Sequence, residues 1–461
     1  MEPGIWSLLP LTVALVFAFI TRSAIPALLL GVVAGAFMLD GNPLTALNET
    51  LQTALGTGNF IWICQIVLSI GILTELFKRS GAISGFTTKL TNLADSPRGV
   101  GLTSWGLGLG IIDDYFSPLL VGTIMRPLAD RAKMSREKFA YLLDAMTSPV
   151  CVLMPFLAYG AYLAGLVATE TGQEATEGTA LIIRSIPYNY YSLLTVLMAA
   201  LVAARWMPDF GPMRKAEERL RSGGPLLRPG ASAVLVETDL ADEPLESWGQ
   251  LTLFLFIPIG MVLALALGGF LVTGDILIAE AFLAATVFTL VVVAVSGRIA
   301  EGVSGLMTVV MAGISHILPA LIIIGLAYAL NTVTDQLDAA AYLVDQSADF
   351  LTPGLLVGAT FVLGAVVSFA TGTSWGTFAL LMPLALPIAL SLGGDPSDPL
   401  VLKTIAAVTG GGIFGDHTSP VSDTSVLSSA GAGSDHMDHI ISQLPYALMV
   451  AAVTTLLYLF F

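Results

Sequence analysis

Two aspartates in this chain stand just ahead of the same tetrapeptide. Asp144 lies four residues before Ser148 in Thr147-Ser148-Pro149-Val150, and Asp416 lies three residues before Ser419 in Thr418-Ser419-Pro420-Val421. A proline withholds a backbone N–H and crowds the carbonyl one turn earlier, so a helix carrying this sequence opens there. Carboxylate, hydroxyl and freed carbonyl groups are all oxygen ligands, the set that a small hard cation such as sodium prefers. A carboxylate in a low-dielectric site can also exchange a proton for a cation. The alternative for Thr147, Ser148, Thr418 and Ser419 is structural: their hydroxyls bond to the freed carbonyls. For Asp144 and Asp416, repeated at matching breaks, a role as sodium ligands is the better reading.

A second pair of landmarks precedes the first. Asp113-Asp114-Tyr115-Phe116-Ser117-Pro118, ending at Met125-Arg126-Pro127, matches in position and polarity Thr371-Gly372-Thr373-Ser374-Trp375-Gly376, ending at Leu381-Met382-Pro383. Two ordered landmarks in each half point to an internal repeat. Asp113, Asp114, Thr373, Ser374 and Asp423 join the candidate cation or substrate ligands. Asp113 has a structural reading too, as the cap of a returning helix. His417, next to Asp416, is read either as a proton carrier or as a structural hydrogen-bonding residue. The run Asp435-His436-Met437-Asp438-His439 has metal-ligating types at i and i+3 but reads better as a polar segment at the membrane interface.

The elements that must hold these residues are apolar. Of 461 residues, 55% are hydrophobic and 11% charged, against roughly a quarter charged in a soluble domain. Stretches near the roughly 20 residues needed to cross a bilayer recur as 5–20, 24–39, 60–77, 139–167 and 190–206, then 251–272, 276–295, 314–330, 401–428 and 444–461. The first is preceded by Glu2 rather than basic residues and reads as a retained helix. The stretch from Pro208 to Gly249 has linker composition, which divides the chain into residues 1–206, a cytoplasmic linker 207–249, and residues 250–461.

Basic residues decide the sides. Lys78, Arg79, Lys89 and Arg98 flank 100–125 before it, and Arg126, Arg131, Lys133, Arg136 and Lys138 follow, so both flanks belong in the cytoplasm. That stretch must enter and return as a re-entrant hairpin with Asp113 and Asp114 at its tip. The flanks of 355–392 carry acid and no base, which places a second hairpin outside. The expected fold is therefore an all-α polytopic membrane protein of two inverted repeats, each with about five transmembrane helices, a re-entrant hairpin and a broken helix. Irregular backbone at membrane depth survives only where it is buried in protein or lines a wet cavity. The site is thus expected at Asp113–Ser117, Asp144–Pro149, Thr371–Gly376 and Asp416–Asp423.

At these residues the chain resembles the NhaC-type sodium/proton antiporters of the ion-transporter superfamily. The first-half phrases are Asp113-Asp114-Tyr115-Phe116, Val121-Gly122-Thr123-Ile124-Met125-Arg126-Pro127, Ser135-Arg136-Glu137-Lys138 and Ser148-Pro149-Val150-Cys151. The second-half phrases run from Gly415 to Thr424 and from Gly431 to His439. The resemblance implies paired inverted repeats and exchange of Na+ for H+ across the cytoplasmic membrane. Since the family also includes exchangers of organic acids and amino acids, the alternative is a sodium- or proton-coupled carrier of a small organic acid or amino acid.

The net charge of −15, from 34 acidic and 19 basic residues, argues against a nucleic-acid partner. Neither a His-Glu-x-x-His pair nor a phosphate-binding loop is present, so the chain is not expected to be an enzyme. Cys64 and Cys151 have no metal or disulfide spacing. No cofactor is expected beyond Na+ and H+ as transported ions. The partners are membrane lipid and those ions, and the reading also admits a homodimer.

Overall fold

The computed structural model describes residues 4–460 except 22–23, 40, 91–95, 111–113, 115, 234–243, 274–276, 300–301, 340–341, 343–351 and 421. Asp113 thus lies outside the described residues. The helices are α1 (Leu9–Thr21), α2 (Ala24–Ala36), α3 (Pro43–Leu55), α4 (Gly58–Arg79), α5 (Ala82–Leu90), α6 (Pro97–Gly110), α7 (Phe116–Arg131), α8 (Arg136–Asp144), α9 (Ser148–Cys151), α10 (Ala158–Thr171), α11 (Ala175–Ser185), α12 (Tyr190–Ala203) and α13 (Gly211–Arg221). They continue as α14 (Trp248–Leu251), α15 (Ile257–Thr273), α16 (Ile278–Ser296), α17 (Val303–Gln336), α18 (Pro353–Thr371), α19 (Ser374–Gly393), α20 (Pro399–Asp416), α21 (Asp423–Ala432) and α22 (His436–Phe460). Among the described residues there is no strand. The chain is an all-α, multi-pass membrane protein.

Six of these helices are long and apolar enough to cross a bilayer, or seven if the pair α11 and α12, bent by 53°, counts as one span. Four of the ten stretches read from the sequence are among the six, as α4, α16, α17 and α22, while α18 and α19 come from the interrupted stretch 355–392. Two crossings are broken into pieces, and α1 and α2 have 13 residues each, roughly 20 Å at 1.5 Å per residue against a core of roughly 30 Å. Helix α3, which the apolar reading passed over, has an Asn42 side-chain cap and Pro43 in its first turn.

Helices α4 and α17 set the axis. Gly71 and Gly313 bring their backbones together, so that a Cβ on Gly71 would lie 2.7 Å from the Gly313 carbonyl. The Phe60 and Tyr328 rings meet edge to face at 5.7 Å. The start of α4 therefore lies beside the end of α17, and Lys78 and Arg79 at the end of α4 mark the opposite, basic end of the bundle. At that end Arg298, after α16, donates to the Ser80 carbonyl at 3.3 Å.

The region with linker composition is partly packed there. Helix α13 buries Met213, Ala216, Glu217 and Leu220. Glu217 accepts from the Ser135 N–H at 2.8 Å, Arg219 pairs with Glu137 at 2.8 Å, and Asp209 pairs with Lys138 at 2.7 Å. These contacts clamp the start of α8, whose Ser135 hydroxyl caps the Lys138 N–H.

Helix α8 then dives inward and stops at Asp144. Thr147 takes a non-helical φ of −98° and ψ of −98°, α9 makes one turn, and α10 resumes toward the other end. Helix α20 starts at that other end, capped by Asp398, and runs in to Asp416. After the break α21 leads to the basic end, where the Gly433 carbonyl accepts from Arg136 at 2.9 Å. The two broken helices run antiparallel, with their breaks side by side.

Each break is flanked by a hairpin. Arg98, at the start of α6, lies over the Trp206 ring beyond α12, and Asp130, at the end of α7, pairs with Arg136 at 3.1 Å. Both arms thus end at the basic end, while Gly108 packs on Met146 at depth. Helices α18 and α19 turn through Gly372 at φ 71° next to the second break. Their outer ends lie against Leu459 and Asp398, at the far end of the bundle. Helices α18 and α19 are each long enough to span a bilayer, and they return to the same end nonetheless.

Candidate functional site

Asp144 is fully buried, and its donors come from the opposing broken helix and α22. Ser425 and Ser428, one turn apart on α21, reach its two oxygens at 2.9 and 3.2 Å. The Gln443 amide donates to Asp144 Oδ2 at 2.9 Å and also to the His417 carbonyl, tying the first break to the second. His439 Nε2 lies 3.6 Å from Asp144 Oδ2 and 2.9 Å from the Gln443 carbonyl oxygen.

Asp416 mirrors this arrangement. Its Oδ2 accepts from Ser374, at the start of α19, at 3.0 Å and from the Tyr159 hydroxyl on α10 at 3.3 Å. Its Oδ1 accepts from Ser422 at 3.2 Å. Ser374 and Tyr159 are 2.7 Å apart, and the Tyr159 ring is stacked on Trp375. Each aspartate ends the first half of its own broken helix and is held in part by the second half of the other. The Ser425 hydroxyl that donates to Asp144 also lies 3.3 Å from the Asp416 backbone carbonyl, which brings the two breaks together at one side chain.

The described donors to both carboxylates are mostly serine and tyrosine hydroxyls, plus one amide. A hydroxyl donates to a bare carboxylate, and by rotating it offers a lone pair to a cation instead. Two charges buried together are costly unless they are protonated or balanced by cations. The cluster therefore suits a small hard cation or a proton.

The other sequence candidates divide. The Thr147 and Thr418 hydroxyls donate to the Leu143 and Phe414 carbonyls at 2.7 and 2.5 Å, the structural alternative. Ser419 donates to the Phe369 carbonyl at 2.6 Å and locks the break to the hairpin. Ser148 is buried, with no partner for its hydroxyl among the described residues. Thr373 precedes α19 without a side-chain cap. His417 is buried, with Nδ1 at 3.2 Å from the Tyr191 hydroxyl and 3.3 Å from the Ile413 carbonyl. Asp114 is buried at the hairpin of α6 and α7; the Asp423 side chain lies outside the described residues.

The run of residues 435–439 divides between the interior and the basic end. His439 is fully buried because α22 turns that face toward Ser429, whose hydroxyl lies 2.8 Å from His439 Nδ1 and 3.0 Å from His436 Nδ1. Asp438 turns away to Arg228 at 3.1 Å. Among the described residues no three His, Cys, Asp or Glu side chains are grouped to hold a metal ion. Gly372-Thr373-Ser374-Trp375-Gly376 has the Gly-x-Ser-x-Gly spelling of a hydrolase elbow. It joins two helices rather than a strand and a helix, and Ser374 meets a carboxylate and a phenol instead of an imidazole.

Residues 150–461 match the sequence profile of the Na+/H+ antiporter family. The chain belongs to this family. It is a transporter, not an enzyme, and Na+ and H+ are the ions the family implies. An uncharacterized protein of Haemophilus influenzae is 30% identical over 99% of this chain and 90% of its own length. The malate-2H(+)/Na(+)-lactate antiporter of Bacillus subtilis is 30% identical over 35% of this antiporter-family chain and 33% of its own. In fold, the chain is similar to the Alcanivorax borkumensis YdaH transporter, with a TM-score of 0.59 and 17% identity over 91% of this chain and 89% of that one. It is also similar to Neisseria gonorrhoeae MtrF, with a TM-score of 0.58 and 15% identity over 98% and 94%.

Proposed function

We propose that Asp144 and Asp416 are the exchange site of a sodium/proton antiporter, at which Na+ and H+ compete for the same oxygens. The observation that carries this reading is their reciprocal arrangement: two buried carboxylates at the facing breaks of antiparallel helices, with rotatable hydroxyls as donors. A bound Na+ would draw on Ser374, Ser422, Ser425 and Ser428 beside the carboxylates; a proton would replace it on either. The arrangement supports two inverted repeats joined near residues 207–249, with the basic end in the cytoplasm. In such a fold one repeat element rocks against the other to expose the site alternately.

A carrier of an organic anion would want a cationic side chain beside a hairpin tip. Of the two sequence candidates for that task, Arg126 packs next to Gly433 at the basic end, alongside Arg136, and the buried His417 ring is engaged at Nδ1 by the Tyr191 hydroxyl and the Ile413 carbonyl. This favours the ions alone. The test is purified protein in liposomes with sodium and pH gradients imposed separately. Sodium-driven proton movement in the absence of any organic solute supports exchange at this site, and a strict requirement for malate, lactate or an amino acid refutes it.

A further inference from the structure

Far from the basic end, side chains of α10 and α17 meet, with the Tyr328 hydroxyl close to Gly165, in a group of polar residues that the exchange site does not use. Tyr328, Asn331 and Asp335 follow each other at i, i+3 and i+7 on α17 and so share a face. Glu170 stands one residue before the end of α10. The Asn331 side chain faces the Glu170 carboxylate, which also feels the charge of Asp335. Asp335 is exposed, Glu170 half-buried, and Asn331 and Tyr328 are each only 3% exposed. Polarity thus runs inward from an acidic rim.

Single polar atoms of this group are left without a partner. Glu170 Oε1, Asn331 Oδ1 and the Tyr328 hydroxyl have no hydrogen-bond partner among the described residues. A carboxylate or amide oxygen can only accept, so it is stabilised by a donor or a cation. Both helices also end here, and the carbonyl ends of helices favour positive charge. Two carboxylates and one amide oxygen, with no group of three acidic, His or Cys side chains among the described residues, suit a monovalent hard cation.

The group leads somewhere. Tyr162 lies beside Tyr328 and stacks on Trp375 at 5.1 Å. Trp375 Nε1 has no partner among the described residues either. Trp375 stacks on Tyr159 at 4.6 Å, and Tyr159 donates to Asp416. A seam of polar edges therefore connects the rim to the exchange site.

We propose that Glu170, Asn331 and Asp335 form a second Na+ site, at the mouth of this seam, through which the ion reaches and leaves Asp416 on the side opposite the basic end. The role assigned to the seam rests on the exchange reading above; the binding site itself does not. The native Cys64, half-buried beside Tyr328, reports on both. In protein carrying Cys151→Ala, a cationic, membrane-impermeant methanethiosulfonate should modify Cys64 from that side, and Na+ should slow the reaction. In Glu170→Gln that protection should vanish. In transport, Glu170→Gln and Asn331→Leu should raise KM for Na+ by about fivefold or more with little change in maximal rate, while Asn331→Asp lowers it, each about 1 kcal/mol of ion binding. Cys64 that does not react, or protection and KM that stay as in the parent protein, overturns the site. Wild-type liposomes without sodium-driven proton movement overturn the exchange reading alone, because protection of Cys64 by Na+ still decides whether the ion binds here.

Discussion

The Ser425 hydroxyl lies 2.9 Å from Asp144 Oδ2 and 3.3 Å from the backbone carbonyl of Asp416, so a single O–H stands between the two broken helices. It has one proton and two acceptors. A cation or proton arriving on Asp144 releases that donor to the Asp416 carbonyl, which couples the charge state of one break to the backbone of the other. Ser428 reaches Asp144 without that second contact. Ser425→Ala and Ser428→Ala should therefore differ. Each removes a ligand and should weaken Na+ binding by about 1 kcal/mol, roughly fivefold in KM, but Ser425→Ala alone should also slow the maximal rate. Equal rates for the two alanine variants in liposomes would remove the coupling.

Asparagine at Asp144 or Asp416 keeps shape and one oxygen but removes the charge and the exchangeable proton. Asp144→Asn and Asp416→Asn should insert and fold, yet each should lose most sodium-dependent transport. Asp395 serves as the contrast. The Ser397 hydroxyl and N–H hold its exposed carboxyl below the usual carboxylate range, so it stays ionised throughout the pH range of transport. Its small stabilisation is present above the unfolded-state pKa and is lost only as pH falls through the depressed one. Asp395→Asn should leave the pH profile of transport unchanged, and wild-type sodium dependence in both midplane variants would refute their assignment.

Gln443 binds the first break to the second through one amide. Gln443→Leu strands the His417 carbonyl and takes from Asp144 one of three donors among the described residues, and a buried polar group left without its partner costs about 1–3 kcal/mol. The thermal midpoint in detergent should fall, and Na+ should recover part of the loss by binding the native state. A midpoint equal to wild type would show that the amide contributes nothing to holding the breaks together.

How much of this was legible before the structure depends on sequence distance. Asp144 and Asp416 announce themselves because each precedes the same proline break, and the basic flanks placed both arms of the first hairpin at one end. Tyr159, Ser425 and Gln443 gave no such signal: each reaches an aspartate more than 250 residues away, and no local pattern encodes a contact of that range. Ser425 and Ser428 at i and i+3 were a findable polar face on a short helix. His439 was passed over because its neighbours are charged, and only the packing of α22 shows which side of the helix is buried.

The orientation is testable at exposed positions. Ser135 is fully buried in its capping role and is unsuited to labelling, whereas Ser222, after α13, and Thr53 on α3 are exposed. Ser222→Cys and Thr53→Cys should react with an impermeant maleimide from opposite sides, Ser222 from the cytoplasm. Reaction of both from one side would contradict the inverted arrangement.

The closest packing in the site is made by glycine. A Cβ on Gly415 would lie 2.0 Å from the Phe369 backbone nitrogen and 2.2 Å from the Ser368 carbonyl carbon, both backbone atoms that cannot swing aside. This contact seats α20 against α18 and so aims Asp416 at Ser374. Overpacking of a tight core costs about 1–3 kcal/mol even where side chains can adjust, and here the hairpin itself must shift. Gly415→Ala should therefore lower the thermal midpoint and, in whatever protein remains folded, raise KM for Na+ because Ser374 is drawn off the carboxylate. Gly410→Ala, whose nearest contact is the Asn189 side-chain oxygen at 3.2 Å, should be the milder change. If Gly415→Ala matched it in both stability and sodium affinity, the close approach of the hairpin to the break would not be what positions the ligand.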